Sequence, residues 1–278
     1  MLRIMLADLY RALQGKLFWL TALILAIIAA LSVFVFGMAP GVVHVEHEVG
    51  YAVVEDGYII AEPVPLDLGN FELTAAEAVT ISAGGMGNLA YVVLAIAAVI
   101  ALTPFDAGAI KNELSVGASR SKLYFSKWLL SAFITLIFML LYTFLFFVFG
   151  LIGGGLGEWS SEFVTNFAWG FAAQILFVLG YLSVAMLFIF GIRKEGVSIY
   201  GFIGFVLIPA MTGALLSLAW PDIIDIFAIF ELGLLIQTFA EHNEMYTYQI
   251  VRGIAVGTAY IVLPTALGLA LFRKADIK

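Results

Sequence analysis

Long apolar runs alternate with short charged stretches along the whole chain. Residues 17–43, 78–105, 128–157, 163–192, 196–221 and 253–272 contain no Asp, Glu, Lys or Arg. A helix of about 20 apolar residues crosses a hydrocarbon core about 30 Å thick. The pattern therefore predicts an all-α polytopic membrane protein with a single transmembrane domain over 1–278. We place its six transmembrane helices near 17–39, 80–103, 128–150, 164–191, 197–219 and 253–272.

The residues before the first span have a helical pattern of their own. Leu2, Met5, Leu9 and Leu13 recur at helical spacing among charged side chains. This pattern is typical of an amphipathic helix that lies in the membrane interface. An equally good interpretation is a basic flank whose charges only fix the topology of the first span.

An acidic segment, residues 44–77, connects the first two spans. Its apolar and polar residues alternate on both sides of Asp56-Gly57, which predicts a small external β-hairpin with a tight turn. Thr74 and Glu77 have the spacing of a capping box, so the second helix should begin near Thr74.

Three ligand-type side chains lie close together at the start of this segment. His44, Glu46 and Glu48 occupy every second position, so a strand would place all three on one face. They form a possible metal-binding group. The alternative is an acidic, solvated strand that binds nothing.

A second connecting segment, residues 222–252, lies before the sixth span. Its apolar pieces at 226–230 and 232–240 are too short to cross a bilayer. They predict a re-entrant or interfacial pair of short helices before helix 6.

Composition excludes several classes of protein. The chain is 63% hydrophobic and 12% charged with a mean hydropathy of +1.07, so lipid rather than water must surround much of it. It has no cysteine, which excludes disulfides, thiol nucleophiles and thiolate metal sites. It has no phosphate-loop, Gly-x-Ser-x-Gly or His-Glu-x-x-His motif, so we expect no catalysis by this chain.

Basic residues predict the orientation in the membrane. If both termini are cytoplasmic, Arg252 is the one basic residue among the 13 that lies outside. Most acidic residues then lie on the external face. This distribution agrees with the positive-inside rule, so we expect both termini in the cytoplasm of a bacterial cell and the chain in its plasma membrane.

Few polar side chains interrupt the spans. Asn166 and Gln174 are candidates for a weak translocation path, although such residues more often bond a neighbouring helix. The predicted spans contain no Asp, Glu, Lys, Arg or His near their centres. That absence argues against a secondary carrier driven by an ion gradient.

The segment 104–127, between the second and third spans, combines charge with glycine. On a helix through this segment Ile110 and Leu114 are one turn apart and would present an apolar knob to a partner. Gly108 and Gly117 allow sharp turns at either end. Lys111 and Arg120 would pair with acids of a partner or with lipid phosphates. Topology alone needs charge but not this pattern. A nucleic-acid site is not indicated.

This segment resembles the loop between the second and third spans of type-2 ABC transporter permeases, including bacterial permeases for lantibiotic immunity and for peptide or antibiotic export. The matching residues are Phe105, Asp106, Gly108, Lys111, Asn112, Leu114, Gly117, Ser119, Arg120, Tyr124 and Lys127. The six-span layout and the amphipathic N-terminus also match. The external segment 44–77 is larger than the family pattern requires.

The resemblance implies a function for the segment as a coupling helix. It implies that Phe105, Asp106, Gly108, Ile110, Lys111, Asn112, Leu114, Gly117, Ser119, Arg120 and Lys127 dock on a separate cytoplasmic ABC ATPase. ATP and magnesium would bind to that ATPase, with no cofactor in this chain. Two permease chains, as a homodimer or heterodimer in the lipid bilayer, would export an amphipathic peptide or antibiotic. The alternatives are a non-transporting scaffold or sensor with an acidic external ligand-binding segment, and a secondary carrier.

Overall fold

The computed structural model describes residues 2–38, 54–55, 58–59, 73–106, 108–115, 117, 119–220, 223–241 and 247–274. Helices occupy most of these residues. They are α1 Leu2–Gln14, α2 Lys16–Met38, α3 Ala75–Gly85, α4 Leu89–Ala97, α5 Thr103–Asp106, α6 Ala109–Ser115, α7 Arg120–Gly154, α8 Ser161–Ile192, α9 Glu195–Ser217, α10 Ile223–Phe230, α11 Leu232–Glu241 and α12 Thr247–Lys274. A 3-10 turn at Met86–Asn88 and a π-helical turn at Ala98–Leu102 connect α3, α4 and α5.

Within the described ranges, six helical stretches are long and apolar enough to cross a membrane. They are Phe18–Val35, Ala75–Leu102, Arg120–Gly154, Ser161–Ile192, Gly196–Ser217 and Tyr248–Lys274. Each coincides with one of the predicted spans, so the prediction of an all-α multi-pass membrane protein with six apolar helices is confirmed. Many large apolar side chains on these helices are exposed, a surface that lipid tails solvate and water does not.

The second span begins with the capping box that the sequence predicts. The backbone N–H of Glu77 donates to the hydroxyl of Thr74, and the backbone N–H of Thr74 donates to the Glu77 carboxylate at 2.8 Å. These two bonds satisfy donors that the first turn of a helix otherwise leaves unpaired. The boundary of α3 was therefore predictable from four residues.

Helix α8 lies at the centre of the bundle. It packs against α4, α9, α11 and α12, whereas α7 packs mainly against α2 and α3. The apolar stretch of α8 is 61% buried, but those of α2, α9 and α12 are only 22%, 17% and 11% buried. The outer three helices thus leave most of their surface to lipid or to a second chain.

A glycine permits a close approach between the second and third spans. A Cβ atom on Gly150 of α7 would lie 2.6 Å from the Cβ of Ala78 and 2.7 Å from the carbonyl oxygen of Thr74. Small residues at such crossings let helices pack closely in a bilayer. Gly150→Ala should therefore lower the free energy of unfolding by about 1–3 kcal/mol through overpacking.

Gly84 is the matched control for this prediction. A Cβ on Gly84 meets no atom within 4 Å, so Gly84→Ala should be neutral or stabilising by up to about 1 kcal/mol. The measurement is unfolding of the purified protein in mixed micelles of SDS and a mild detergent. Equal stability of the two variants would contradict the tight crossing of α3 and α7.

The amphipathic helix predicted at the N-terminus is present as α1. One face packs on α7 and buries Asp8 and Ala12, while Leu6, Tyr10 and Leu13 are exposed. An exposed row of large apolar side chains beside charged ones suits a membrane interface. The helix is therefore fixed to the bundle by one face and leaves an apolar edge outside.

Predictions for the two long connections have different outcomes. Val54–Glu55 and Tyr58–Ile59 pair as antiparallel strands. The remainder of the predicted hairpin, with His44, Glu46 and Glu48, lies outside the described residues. Before the sixth span, the two predicted short helices are present as α10 and α11. Helix α11 packs against α3 and α8, so it belongs to the bundle.

Candidate functional site

The candidate coupling segment forms a short helix between two turns, each of which contains a glycine. Helix α6 is bounded by Gly108 with φ +68° and Gly117 with φ +93°. Side chains strain the backbone in this left-handed region, so glycine is the residue these two turns require. After the second turn, Ser119 caps α7 by accepting a hydrogen bond from the backbone N–H of Lys122.

Helix α6 buries one face and exposes the other. Ile110 is only 1% exposed and belongs to the core of the chain, and Leu114 is half-buried against the same core. The interpretation of Ile110 as an exposed apolar knob is therefore wrong. Its apolar side chain instead attaches α6 to the bundle. Lys111, Ser115, Gly117 and Ser119 are exposed, and they form the accessible face of the segment.

The prediction that Lys127 belongs to the docking surface is also corrected by the structure. This side chain is fully buried at the start of the third span. Its Nζ atom lies 2.6 Å from the Asp8 carboxylate and 3.6 Å from that of Glu113. Asp8 also lies 3.3 Å from the guanidinium of Arg11. Lys127 therefore joins α1, α6 and α7 and does not face a soluble partner.

Arg120 connects the segment to the last helix. Its guanidinium donates to the backbone carbonyls of Phe272 at 3.1 Å and Arg273 at 2.8 Å. The Arg273 guanidinium in turn donates to the hydroxyl of Ser121 at 2.7 Å. Carbonyls at a helix C-terminus lack intrahelical donors and favour positive charge. Arg120 thereby ties the end of α12 to the beginning of α7.

Aromatic packing supports the start of the same segment. The centroid of the Phe105 ring lies 5.3 Å from that of Phe190 and 6.0 Å from that of Phe272, both in edge-to-face geometry. Such pairs stabilise a core beyond their buried area. Phe105 is thus part of the support beneath α6. The side chains of Asp106 and Asn112 lie outside the described part of the chain.

The two residues of the predicted translocation path, Asn166 and Gln174, lie about two turns apart on α8. Gln174 is fully buried, and its amide donates to the carbonyl oxygen of Ala83 at 3.0 Å. Asn166 and Ala83 line a cavity of about 50 Å³, which is large enough for water but not for a peptide. In this conformation Gln174 therefore connects α3 and α8 through a hydrogen bond.

A buried carboxylate that sequence reasoning missed lies where α10 meets α11. Glu231 is 9% exposed. Its side chain accepts hydrogen bonds from the backbone N–H groups of Gly233 at 3.0 Å and Leu234 at 2.6 Å. The hydroxyl of Tyr181 on α8 approaches the same carboxylate at 3.5 Å. Glu231 thus begins α11 and carries a charge into the bundle.

Two cavities meet at this carboxylate. One, of about 300 Å³, is lined on its polar side by Asn88, Tyr91 and Gln237. The other, of about 210 Å³, is lined largely by aromatic rings. Glu231 and Tyr181 line both. The sequence signal for this site is the single acid between the two apolar pieces at 226–230 and 232–240.

Together these features define the class of protein. It is a multi-pass helical membrane protein with a glycine-bounded helix between its second and third spans and a buried acid between two cavities. The chain belongs to the family described as protein of unknown function (DUF2705), whose model matches residues 66–278. No curated protein matches the chain. No solved structure matches it.

Proposed function

We propose that the chain is the membrane permease subunit of an ATP-binding-cassette exporter. The observation that carries the proposal is the structure of α6. This helix packs on the bundle with its buried face, and a glycine with positive φ bounds it at each end. Its exposed residues, Lys111, Ser115, Gly117 and Ser119, are a revised docking surface for a cytoplasmic ABC ATPase. ATP and magnesium bind to that partner, and this chain catalyses no reaction.

Contacts within the bundle support the proposal that α1, the start of α7 and the end of α12 lie on the same side of the membrane. The bond between Lys127 and Asp8 brings the N-terminal helix to the base of α7. The bonds of Arg120 bring the end of α12 to the same helix. All three segments are rich in basic residues. By the positive-inside rule this supports the proposal that both termini lie in the cytoplasm and that the chain lies in the bacterial plasma membrane.

The same contacts provide a route for mechanical coupling. A force on the exposed face of α6 reaches α1 and α7 through the Glu113–Lys127–Asp8 network. It reaches α12 through Arg120. Buried, packed elements move together because close-packed interiors deform little. Closure of the ATPase would therefore displace α1, α7 and α12 together.

The outer surface suits assembly with a second permease chain. Helices α2, α9 and α12 bury little of their apolar surface within one chain. We propose a homodimer or heterodimer in the lipid bilayer, with an amphipathic peptide or antibiotic moving between the two chains. The small external β-hairpin predicted in 44–77 and the interfacial position of α1 are part of the same proposal.

Charge reversal on α6 tests the docking surface. Lys111→Glu should reduce the amount of ATPase that co-purifies with the tagged chain at least about tenfold, since like charges facing acids of a partner cost more than 1.4 kcal/mol. Lys16→Glu is the control, because it makes the same charge change at an exposed residue outside α6. The measurement is quantitative mass spectrometry of the complex from native membranes.

Two results would contradict this proposal. One is a chain that co-purifies with no protein carrying a nucleotide-binding phosphate loop. The other is an equal yield of ATPase with Lys111→Glu, Lys16→Glu and the unaltered chain. Both variants must first be shown to insert and elute as the unaltered chain does, which separates docking from folding.

A secondary carrier is the second candidate, and Glu231 is the observation that favours it. The predicted spans contain no Asp, Glu, Lys, Arg or His near their centres, but the structure buries this acid, which lies outside those spans, in the bundle beside α8. Buried acids are typical of ion-coupled carriers. Transport in vesicles that needs an ion gradient and no ATP would favour the carrier. Transport that needs ATP and persists without the gradient would reject it.

A further inference from the structure

The cavities at Glu231 have the chemistry of a cation site. The carboxylate already accepts bonds from two backbone N–H groups and approaches Tyr181. Among the described residues, no Lys, Arg or His lies within ion-pair distance of it. The N-terminus of α11 contributes only about half a positive charge. A net negative charge therefore remains in the bundle without a cationic partner from this part of the chain.

Helix capping alone does not explain a glutamate at this position. Ser, Thr, Asn and Asp are the usual N-terminal caps, and the neutral ones do this without a buried charge. Burying an ionised carboxylate costs free energy unless a counter-charge accompanies it. Thr74 and Ser160 cap other helices of this chain with neutral hydroxyls. The charge at Glu231 thus calls for a further role.

Aromatic rings surround the smaller cavity. Tyr181, Phe205, Phe230 and Tyr260 line it together with Glu231. The rings of Phe205 and Tyr260 lie 6.2 Å apart at 65°, so they form two walls of a corner rather than a stack. Ring faces attract a cation within about 6 Å of their centroids, most strongly where water is excluded. Rings plus one carboxylate favour an organic ammonium over a hydrated metal ion.

The volumes indicate what part of a ligand fits. At about 210 and 300 Å³, the two cavities lie at or below the small end of ligand pockets. They suit a head group and not a whole peptide. Phe230 is 44% exposed at the border of the smaller cavity, so an attached apolar tail would continue onto the lipid-facing surface.

We propose that the two cavities joined at Glu231 bind the ammonium head group of an amphipathic cation, which the carboxylate and the rings of Tyr181, Phe205 and Tyr260 recognise. Binding at this site does not depend on an ATPase. The proposal therefore stands or falls separately from the proposed function. It adds amphipathic cations as a ligand class, which the charge of the buried Glu231 selects.

Choline and its neutral isostere 3,3-dimethylbutan-1-ol test the site. The two probes have nearly the same shape and differ in charge. Equilibrium dialysis of the purified full-length chain in nanodiscs should show saturable binding of choline and at least about tenfold weaker binding of the isostere. Equal binding of the two probes, or no saturable binding of choline, would overturn the proposal.

Variants assign the binding to Glu231 and its aromatic walls. Glu231→Gln keeps a side-chain acceptor for α11 and removes the charge, so choline binding should weaken at least about tenfold. Glu162→Gln is the matched control, because Glu162 is an exposed acid in the first turn of α8, and binding should be unchanged. Undiminished binding by Glu231→Gln would overturn the proposal.

Tyr260 keeps the test decisive if Glu231→Gln fails to fold. Tyr260→Leu removes a ring from the smaller cavity and should weaken choline binding, whereas Tyr260→Phe keeps the ring and should bind as the unaltered chain does. Size-exclusion chromatography reports whether each variant folds. Choline binding that is the same in Tyr260→Leu and Tyr260→Phe would exclude an aromatic ammonium site.

Discussion

Replacing Lys127 with methionine is expected to lower the free energy of unfolding by about 3 kcal/mol. The ammonium group is fully buried between Asp8 and Glu113, at 2.6 and 3.6 Å. Removing one member of a buried ion pair typically costs 3–5 kcal/mol, since the other charge remains in a poor solvent. Arg11, 3.3 Å from Asp8, offsets part of this cost, so we expect the lower end of the range.

A double variant distinguishes the ion pair from simple packing. Asp8→Asn with Lys127→Met removes both charges, and it should recover most of the stability that Lys127→Met loses. Lys122→Met is the control, because Lys122 is exposed on the same helix and should change stability by no more than about 0.5 kcal/mol. SDS titration in mixed micelles measures all four proteins. A double variant as unstable as Lys127→Met would contradict the pairing.

Single cysteines at positions 111 and 158 are expected to label from opposite sides of the membrane. Lys111 lies on α6 and Glu158 lies in the exposed connection between α7 and α8. One membrane span, α7, separates the two positions. Because the chain has no cysteine, each variant carries a single reactive thiol without further changes. In intact cells we expect complete labelling of the thiol on one side of the membrane and no labelling of the thiol on the other side.

The measurement uses a membrane-impermeant maleimide on intact bacterial cells. Glu158→Cys should react in intact cells, and Lys111→Cys should react only after the membrane is opened. The reverse pattern would invert the predicted orientation and remove α6 from the compartment that holds ATP. Labelling of both positions in intact cells would mean that α7 does not cross the membrane.

Local signals made much of the fold predictable. Uncharged runs located the six helices, among those the structure describes, that are long and apolar enough to cross a membrane, because a charge inside an apolar span is costly wherever the helix packs. The capping box at Thr74 located the start of α3 to within one residue, since both of its hydrogen bonds join residues three positions apart. These features depend on near neighbours in the chain, so the sequence contains the whole interaction.

Features that depend on distant partners were not predictable. The family resemblance implies that Lys127 belongs to the docking surface, yet its partner Asp8 is 119 residues away in the chain. Ile110 satisfied the spacing of an exposed knob, but spacing does not say which face of a helix meets the core. Glu231 was not among the predicted site residues, because its contact with Tyr181 forms only when α8 and α11 pack.

These corrections narrow the proposed coupling surface. The segment now separates into an anchored part, which includes Ile110 and Lys127, and an accessible part, which includes Lys111 and Ser115. A coupling element needs both properties, since it must contact a partner and transmit the displacement to the spans. The buried ion network would supply the second property in our account.

Site-specific photocrosslinking at position 111 tests the central claim most directly. A photoreactive benzoylphenylalanine would replace Lys111, or Lys16 as a control, and native membranes would be irradiated before purification. Our account predicts a covalent adduct between position 111 and a protein that carries a nucleotide-binding phosphate loop, with none from position 16. Adducts at position 111 with lipid or with the chain itself, and none with an ATPase, would contradict the proposed permease function.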